Sequence, residues 1–171
     1  MAKPEPTEEA PTISRDQLAD LLNEDLAREY QAVIAYVVYS QVLKGPEFMT
    51  IAGELEEHAQ EELKHALIIS RQIDYLGKMP TVQAKPVRTS DDAREMLRFD
   101  LDNENETVSA YTQRVRQCEA LGEFAMAEQI RQILVEEQDH QIELAMALGE
   151  DVPAVGDLSS RSHRPRIVKN G

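Results

Sequence analysis

Two parts of the chain repeat one another at an offset of 75 residues. Leu22-x-x-Asp25-Leu26-x-x-Glu29-x-x-x-Val33-x-x-Tyr36 returns as Leu97-x-x-Asp100-Leu101-x-x-Glu104-x-x-x-Val108-x-x-Tyr111. Further on, Glu61-Glu62-x-x-His65 returns as Glu136-Glu137-x-x-His140. The shared positions are three, four and seven apart, the spacing of one helical face. The chain therefore builds the same helical hairpin twice and sets the same carboxylates and imidazoles twice.

Start and stop signals divide the repeat into four helices. Ser14-Arg15-Asp16-Gln17 has capping-box spacing, and an apolar stripe through Leu18, Leu22, Val33, Tyr36 and Val37 runs to Lys44-Gly45-Pro46, which predicts a first helix over about 15–43. Pro46 suits a first helical turn, and Phe48, Ile51, Leu55, Ala59, Ile69, Ile73 and Leu76 predict a second helix over about 47–76. Ser90 is the expected cap of a third, ending near Gly122, and the fourth spans about 123–148, with Phe124, Ala127, Ile130, Leu134, Leu144 and Leu148 on its apolar face and Gly149 at its end.

The loops inside each hairpin are short, so each pair of helices is antiparallel. The middle connection is different. Its thirteen residues, 77–89, can span about 43 Å, close to the roughly 45 Å of a 30-residue helix. This predicts an all-α, up-down-down-up four-helix bundle with one long crossover and no evident fifth helix. Residues 1–14 read as a mobile N-terminal arm, 15–149 as the bundle and 150–171 as an irregular basic tail carrying Arg161, Arg164, Arg166 and Lys169.

Charge and cysteine content exclude several function classes. With 18 Lys and Arg against 32 Asp and Glu, the net charge is -14, the wrong sign for a protein whose main partner is a phosphate backbone. The basic tail reads as a solvated end or an intersubunit contact. Cys118 is the only cysteine, so no intramolecular disulfide, four-cysteine iron site or iron–sulfur cluster can form. The sequence has no secretory apolar core and no run of 18 apolar residues, and the expected setting is cytoplasmic, with no membrane partner.

Glu29, Glu62, Glu104 and Glu137 all fall near the middle of their helices and within apolar stripes. In a bundle of equal helices they share one level and point inward. Four ionised carboxylates in an apolar core are prohibitively unfavourable unless protonated or neutralised by cations. Glu at i and His at i+3 occupy one face, so His65 and His140 join them to give four Glu and two His, enough for two metal ions. Oxygen and imidazole donors without thiolate fit iron or manganese better than structural zinc.

On these residues, and on Met96-Leu97-Arg98 leading to Glu104, the chain over 15–148 resembles the ferritin-like superfamily, and most closely the bacterioferritins and related Dps-like proteins. The resemblance implies a ferritin-like bundle in which Glu62 and Glu137 bridge two iron ions per subunit and Glu29, Glu104, His65 and His140 are terminal ligands. It implies a ferroxidase that oxidises Fe(II) with O2 or H2O2 and stores ferric iron in a homo-oligomeric shell, a dodecamer or a 24-mer. Leu63 stands where bacterioferritins carry the haem-ligating methionine, so no haem is expected. The alternative is a rubrerythrin-like peroxidase or another small dimetal oxidase without mineral storage. Against it, the chain lacks a Cys-x-x-Cys module and has Thr107 where a further carboxylate would stand one turn after Glu104.

Further residues carry weaker signals. Glu61 and Glu136 are placed to accept the second ring N–H of a metal-bound histidine from the facing helix, Glu61 with His140 and Glu136 with His65; a solvated helix face is the competing reading. By the same resemblance Tyr36 is a candidate electron donor during oxygen reduction, against the plainer reading of a core aromatic with a satisfied hydroxyl. His58, one turn before Glu62, reads as a polar neighbour, not a seventh ligand.

Overall fold

A computed structural model describes residues 13–153. The N-terminal arm up to residue 12 and the tail from 154 on, with its four basic residues, lie outside the described residues. Four helices, α1 (Arg15–Val42), α2 (Met49–Tyr75), α3 (Ala93–Ala120) and α4 (Phe124–Leu148), make up the fold, with a single 3-10 turn at Pro46–Phe48. Among the described residues there is no strand, and no helix is long and apolar enough to cross a membrane.

The ends of the helices follow from local chemistry. Ser14 Oγ accepts the Gln17 N–H at 3.1 Å and the Gln17 side chain accepts the Ser14 N–H at 2.9 Å, closing the capping box. Helix α3 departs from expectation. Asp92, not Ser90, is its cap, accepting the Glu95 N–H at 2.9 Å, while Ser90 binds Asp92 N–H and the Glu95 carboxylate just upstream. A carboxylate at the positive end of a helix gains from the dipole as well as from the hydrogen bond, which favours the aspartate. Pro46 nucleates a 3-10 turn, so α2 proper begins at Met49.

Cross-helix contacts fix the topology. Pairs 29–111 and 36–104 set α1 antiparallel to α3, and pairs 58–143, 61–140, 65–136 and 72–129 set α2 antiparallel to α4. The long connection climbs α1 from bottom to top: Lys78 reaches Asp20 at 2.6 Å, Thr81 N–H donates to Asn23 at 2.7 Å, Lys85 N–H donates to the Ala27 carbonyl at 2.9 Å and Gln31 donates to the Pro86 carbonyl at 2.7 Å. Tyr39 then ties to the Arg88 carbonyl. The bundle is therefore up-down-down-up with one long crossover.

The core is split into two apolar slabs. One joins Leu18, Leu22, Leu26, Ile69, Ile73 and Ile130; the other joins Tyr36, Tyr39, Leu55, Leu97, Leu101 and Leu144. Burying each such side chain contributes about 1.5–3 kcal/mol. Three stripe positions do not join the core: Val37 and Phe124 are exposed, and Val33 is half-buried outside both slabs. Periodicity alone cannot separate the inner edge of a stripe from its outer edge, and Tyr39 and Met126, two residues and about 200° further round their helices, take inward places. Between the slabs lies a polar waist.

Candidate metal centre

Each helix contributes one glutamate to the waist, and α2 and α4 each add a histidine one turn later. Glu29, Glu62, His65, Glu104, Glu137 and His140 are at most 3% exposed. Donor atoms of Glu29, Glu62, His65 and Glu137 lie within 4.8 Å of one another, and so do those of Glu62, Glu104, Glu137 and His140. Glu62 and Glu137 belong to both groups. His65 Nδ1 lies 2.9 Å from Glu62, 3.2 Å from Glu137 and 3.5 Å from Glu29, and His140 Nδ1 lies 3.1 Å from Glu62 and 3.5 Å from Glu137.

The far nitrogen of each ring faces outward. His65 Nε2 meets Glu136 at 2.8 Å and His140 Nε2 meets Glu61 at 2.8 Å. Such a carboxylate fixes the tautomer and turns Nδ1 toward the centre. Tyr36 donates to Glu104 and Tyr111 donates to Glu29, so the 75-residue repeat becomes an approximate two-fold axis through the centre. Tyr36 also packs edge-on to His58 and His140, with ring centroids 5.3 and 6.2 Å away.

Electrostatics show what the cluster lacks. Burial, together with the Glu137 and Glu62 charges, pushes Glu29 and Glu104 well above the usual carboxylate range. Burial also acts to raise Glu62, but the approach of His140 and His65 outweighs it and holds Glu62 well below that range. Glu137 is held down by the same histidines against burial and Glu62. Burial alone would depress the histidines; the carboxylates around them instead raise His140 to about 12 and His65 further. Without a metal, protons supply the positive charge.

Hydrogen bonding is nevertheless incomplete. Glu29 Oε2, Glu62 Oε1, Glu104 Oε2, both Glu137 oxygens and His140 Nδ1 are buried and make no aligned hydrogen bond, although all but Glu104 Oε2 lie within 3.5 Å of an opposite member of the cluster. Buried polar atoms are rarely left so, and six on one cluster fit a site that cations would complete. The donor set fits two ions of iron or manganese type: four carboxylates, two imidazoles and no thiolate. A cavity of about 10 Å³, room for one water-sized molecule, touches all four carboxylates from the α1–α3 side beside Thr107.

The neighbours of the centre break the two-fold axis. Asp25 is held by Arg114 through contacts of 2.6 and 3.1 Å, with Arg28 as a second partner. Its counterpart Asp100 is 2% exposed, has no counter-ion within bonding distance among the described residues and is raised well above its usual range by burial. The repeat puts Tyr39 where Arg114 stands in the other half. The two aspartates were visible in the repeat, but their unlike fates depend on residues fourteen positions further along each helix.

A four-helix bundle with one long crossover and a buried carboxylate–histidine waist defines the ferritin-like class of folds. Residues 19–151 match the model of the ferritin-like domain, and the chain belongs to that family. A bacterioferritin of Desulfovibrio desulfuricans is 27% identical over 142 residues, covering 82% of this chain and 79% of its own. A structure from Bacillus anthracis str. Ames, described as ferritin-like, diiron-carboxylate, aligns with a TM-score of 0.76 and 30% identity over 80% of this chain and 99% of its own. A mycobacterial bacterioferritin aligns at a TM-score of 0.70 and 26% identity, over 79% and 84%.

Proposed function

We propose that this protein is a ferroxidase that takes two Fe(II) per chain into the waist, oxidises them with O2 or H2O2 and stores ferric iron in a homo-oligomeric shell. The observation that carries the reading is the pair of four-residue donor groups sharing Glu62 and Glu137. Shared carboxylates are what hold two ions a few ångströms apart. Similarity to bacterioferritins and to a diiron-carboxylate structure supports iron as the substrate.

In this reading Glu62 and Glu137 bridge, and Glu29 with His65 and Glu104 with His140 complete the two ends. Two Fe(II) give up one electron each. O2 with two protons leaves as H2O2, or H2O2 with two protons leaves as two waters. Tyr36, bonded to Glu104 and edge-on to His140, is placed to supply an electron and its phenolic proton where only one Fe(II) meets H2O2, so that Fe(II), Tyr36 and one further proton together reduce H2O2 to two waters. Glu61 and Glu136 keep the imidazoles oriented. Leu63 offers no thioether, so no bacterioferritin-type haem is bound.

The reading is tested by stopped-flow oxidation of Fe(II) in air, followed by size-exclusion chromatography with iron detection. The expected result is fast oxidation of about two irons per chain, then many more eluting with a dodecamer or 24-mer. Saturation near two irons in a dimer supports the small dimetal oxidase instead, and an absence of metal-dependent oxidation refutes both.

A further inference from the structure

The two ends of the seam between α2 and α4 are unlike. At one end a cavity of about 320 Å³ is lined by Glu47, Thr50, Ile51, Glu54, Glu143, Met146 and Ala147, with no Lys or Arg in its lining among the described residues. Behind its wall sits His58, only 3% exposed, whose Nε2 meets Glu143 at 2.7 Å. The His58 ring stacks on His140 with centroids 3.9 Å apart and planes 28° apart. Its Nδ1 is buried without a hydrogen-bond partner. Half-exposed Glu143 thus joins solvent to a buried imidazole, and that imidazole touches the metal centre.

The 75-residue repeat supplies an internal control. At the other end of the seam the counterparts of Glu47, Glu54 and Glu143 are Gly122, Gln129 and Ile68, and Arg71 stands in place of Met146. Ile133 replaces His58 and is 1% exposed. Gln72 and Gln129 close the seam there through a 2.6 Å hydrogen bond. Three carboxylates and a histidine are therefore present at one end and absent at the other, while the six central residues are kept on both sides.

We infer that the acidic end of this seam is where divalent metal ions enter, Glu47, Glu54 and Glu143 collecting the cation and the His58–Glu143 pair holding it before it passes to the half of the centre around His140. Carboxylates lining a concave surface concentrate cations and speed their capture by about 10–1000-fold. A buried imidazole whose Nε2 lies 2.7 Å from a half-exposed carboxylate is a ligand pair for a borderline divalent ion. The other end, closed by the Gln72–Gln129 bond and carrying Arg71 in place of Met146, offers the same ion no such ligands. The inference rests on the dimetal reading of the waist.

Anaerobic stopped-flow uptake of Co(II), followed by its visible absorption, tests the inference without any oxidation step. The chains compared are the wild type, Glu54→Gln/Glu143→Gln, and Glu119→Gln/Glu128→Gln, which removes the same charge elsewhere on the surface. The expected result is unchanged final absorbance in all three and uptake about tenfold slower only in the first variant, the gap narrowing at high salt. His58→Ile, which copies the other half, should slow uptake similarly. An unchanged rate in Glu54→Gln/Glu143→Gln, equal slowing in the surface control, or loss of final absorbance in Glu54→Gln/Glu143→Gln would overturn the inference. Failure of the wild type to take up Co(II) would refute the dimetal reading itself, and the amplitude alone reveals it.

Discussion

Replacing Asp25 or Asp100 by asparagine should change stability in opposite directions, although the repeat makes the two residues equivalent. Asp25 is fully buried and receives two bonds from Arg114, itself 5% exposed and bonded to Gln117 at 2.5 Å. Breaking a buried pair from one side leaves a guanidinium without its counter-charge, at a cost of about 3–5 kcal/mol. For a domain of this size that lowers Tm by roughly 10 °C. Among the described residues Asp100 has no such partner. Its folded pKa is raised by burial, so its unfavourable contribution sets in as pH rises above its ordinary value. Asp100→Asn removes that contribution and should leave the metal-free protein more stable at pH 7. Urea and thermal unfolding of metal-free wild type and both variants measure this; shifts of the same sign would refute the electrostatic account of the broken two-fold axis.

Other expected outcomes concern the centre itself. Glu62→Ala and Glu137→Ala each remove a side chain shared by both donor groups and should slow Fe(II) oxidation by at least about 100-fold, whereas Glu61→Gln should weaken Co(II) binding by about 10–100-fold, both read by titration. Tyr36→Phe and Tyr111→Phe each lose one buried hydrogen bond, about 1–3 kcal/mol of stability by urea unfolding, but only Tyr36→Phe should slow oxidation in stopped flow. In the metal-free protein His65 and His140 have raised folded pKa values, so the stability they contribute is complete below about pH 6.5 and declines from there toward pH 12 for His140; unfolding curves at pH 6, 8 and 10 check the sign. Metal binding must displace protons from both histidines and from Glu29 and Glu104, up to about four per chain in a pH-stat titration.

The 75-residue repeat made the bundle and its six central residues legible because helical spacing converts directly into shared faces. The capping box at Ser14 and the stop at Gly149 were equally local and equally readable. What escaped depends on pairings between distant helices. Ser90 and Asp92 are both good caps in sequence, and the aspartate takes the place while Ser90 bonds the Asp92 N–H and the Glu95 side chain upstream. Tyr111 pairs with Glu29 across the bundle as Tyr36 does with Glu104, a reciprocity visible only once α1 and α3 are known to run antiparallel. His58 and Glu143 are 85 positions apart and occur in only one half of the repeat, so comparison of shared positions passes over them.

The most direct test of the centre is a crystal of the protein loaded with Fe(II) without oxygen, with anomalous scattering recorded at the iron edge. The account predicts two peaks within each chain, about 3.5–4 Å apart, both between Glu62 and Glu137, one beside His65 and the other beside His140. A single peak, or iron bound only at surface carboxylates, would contradict it.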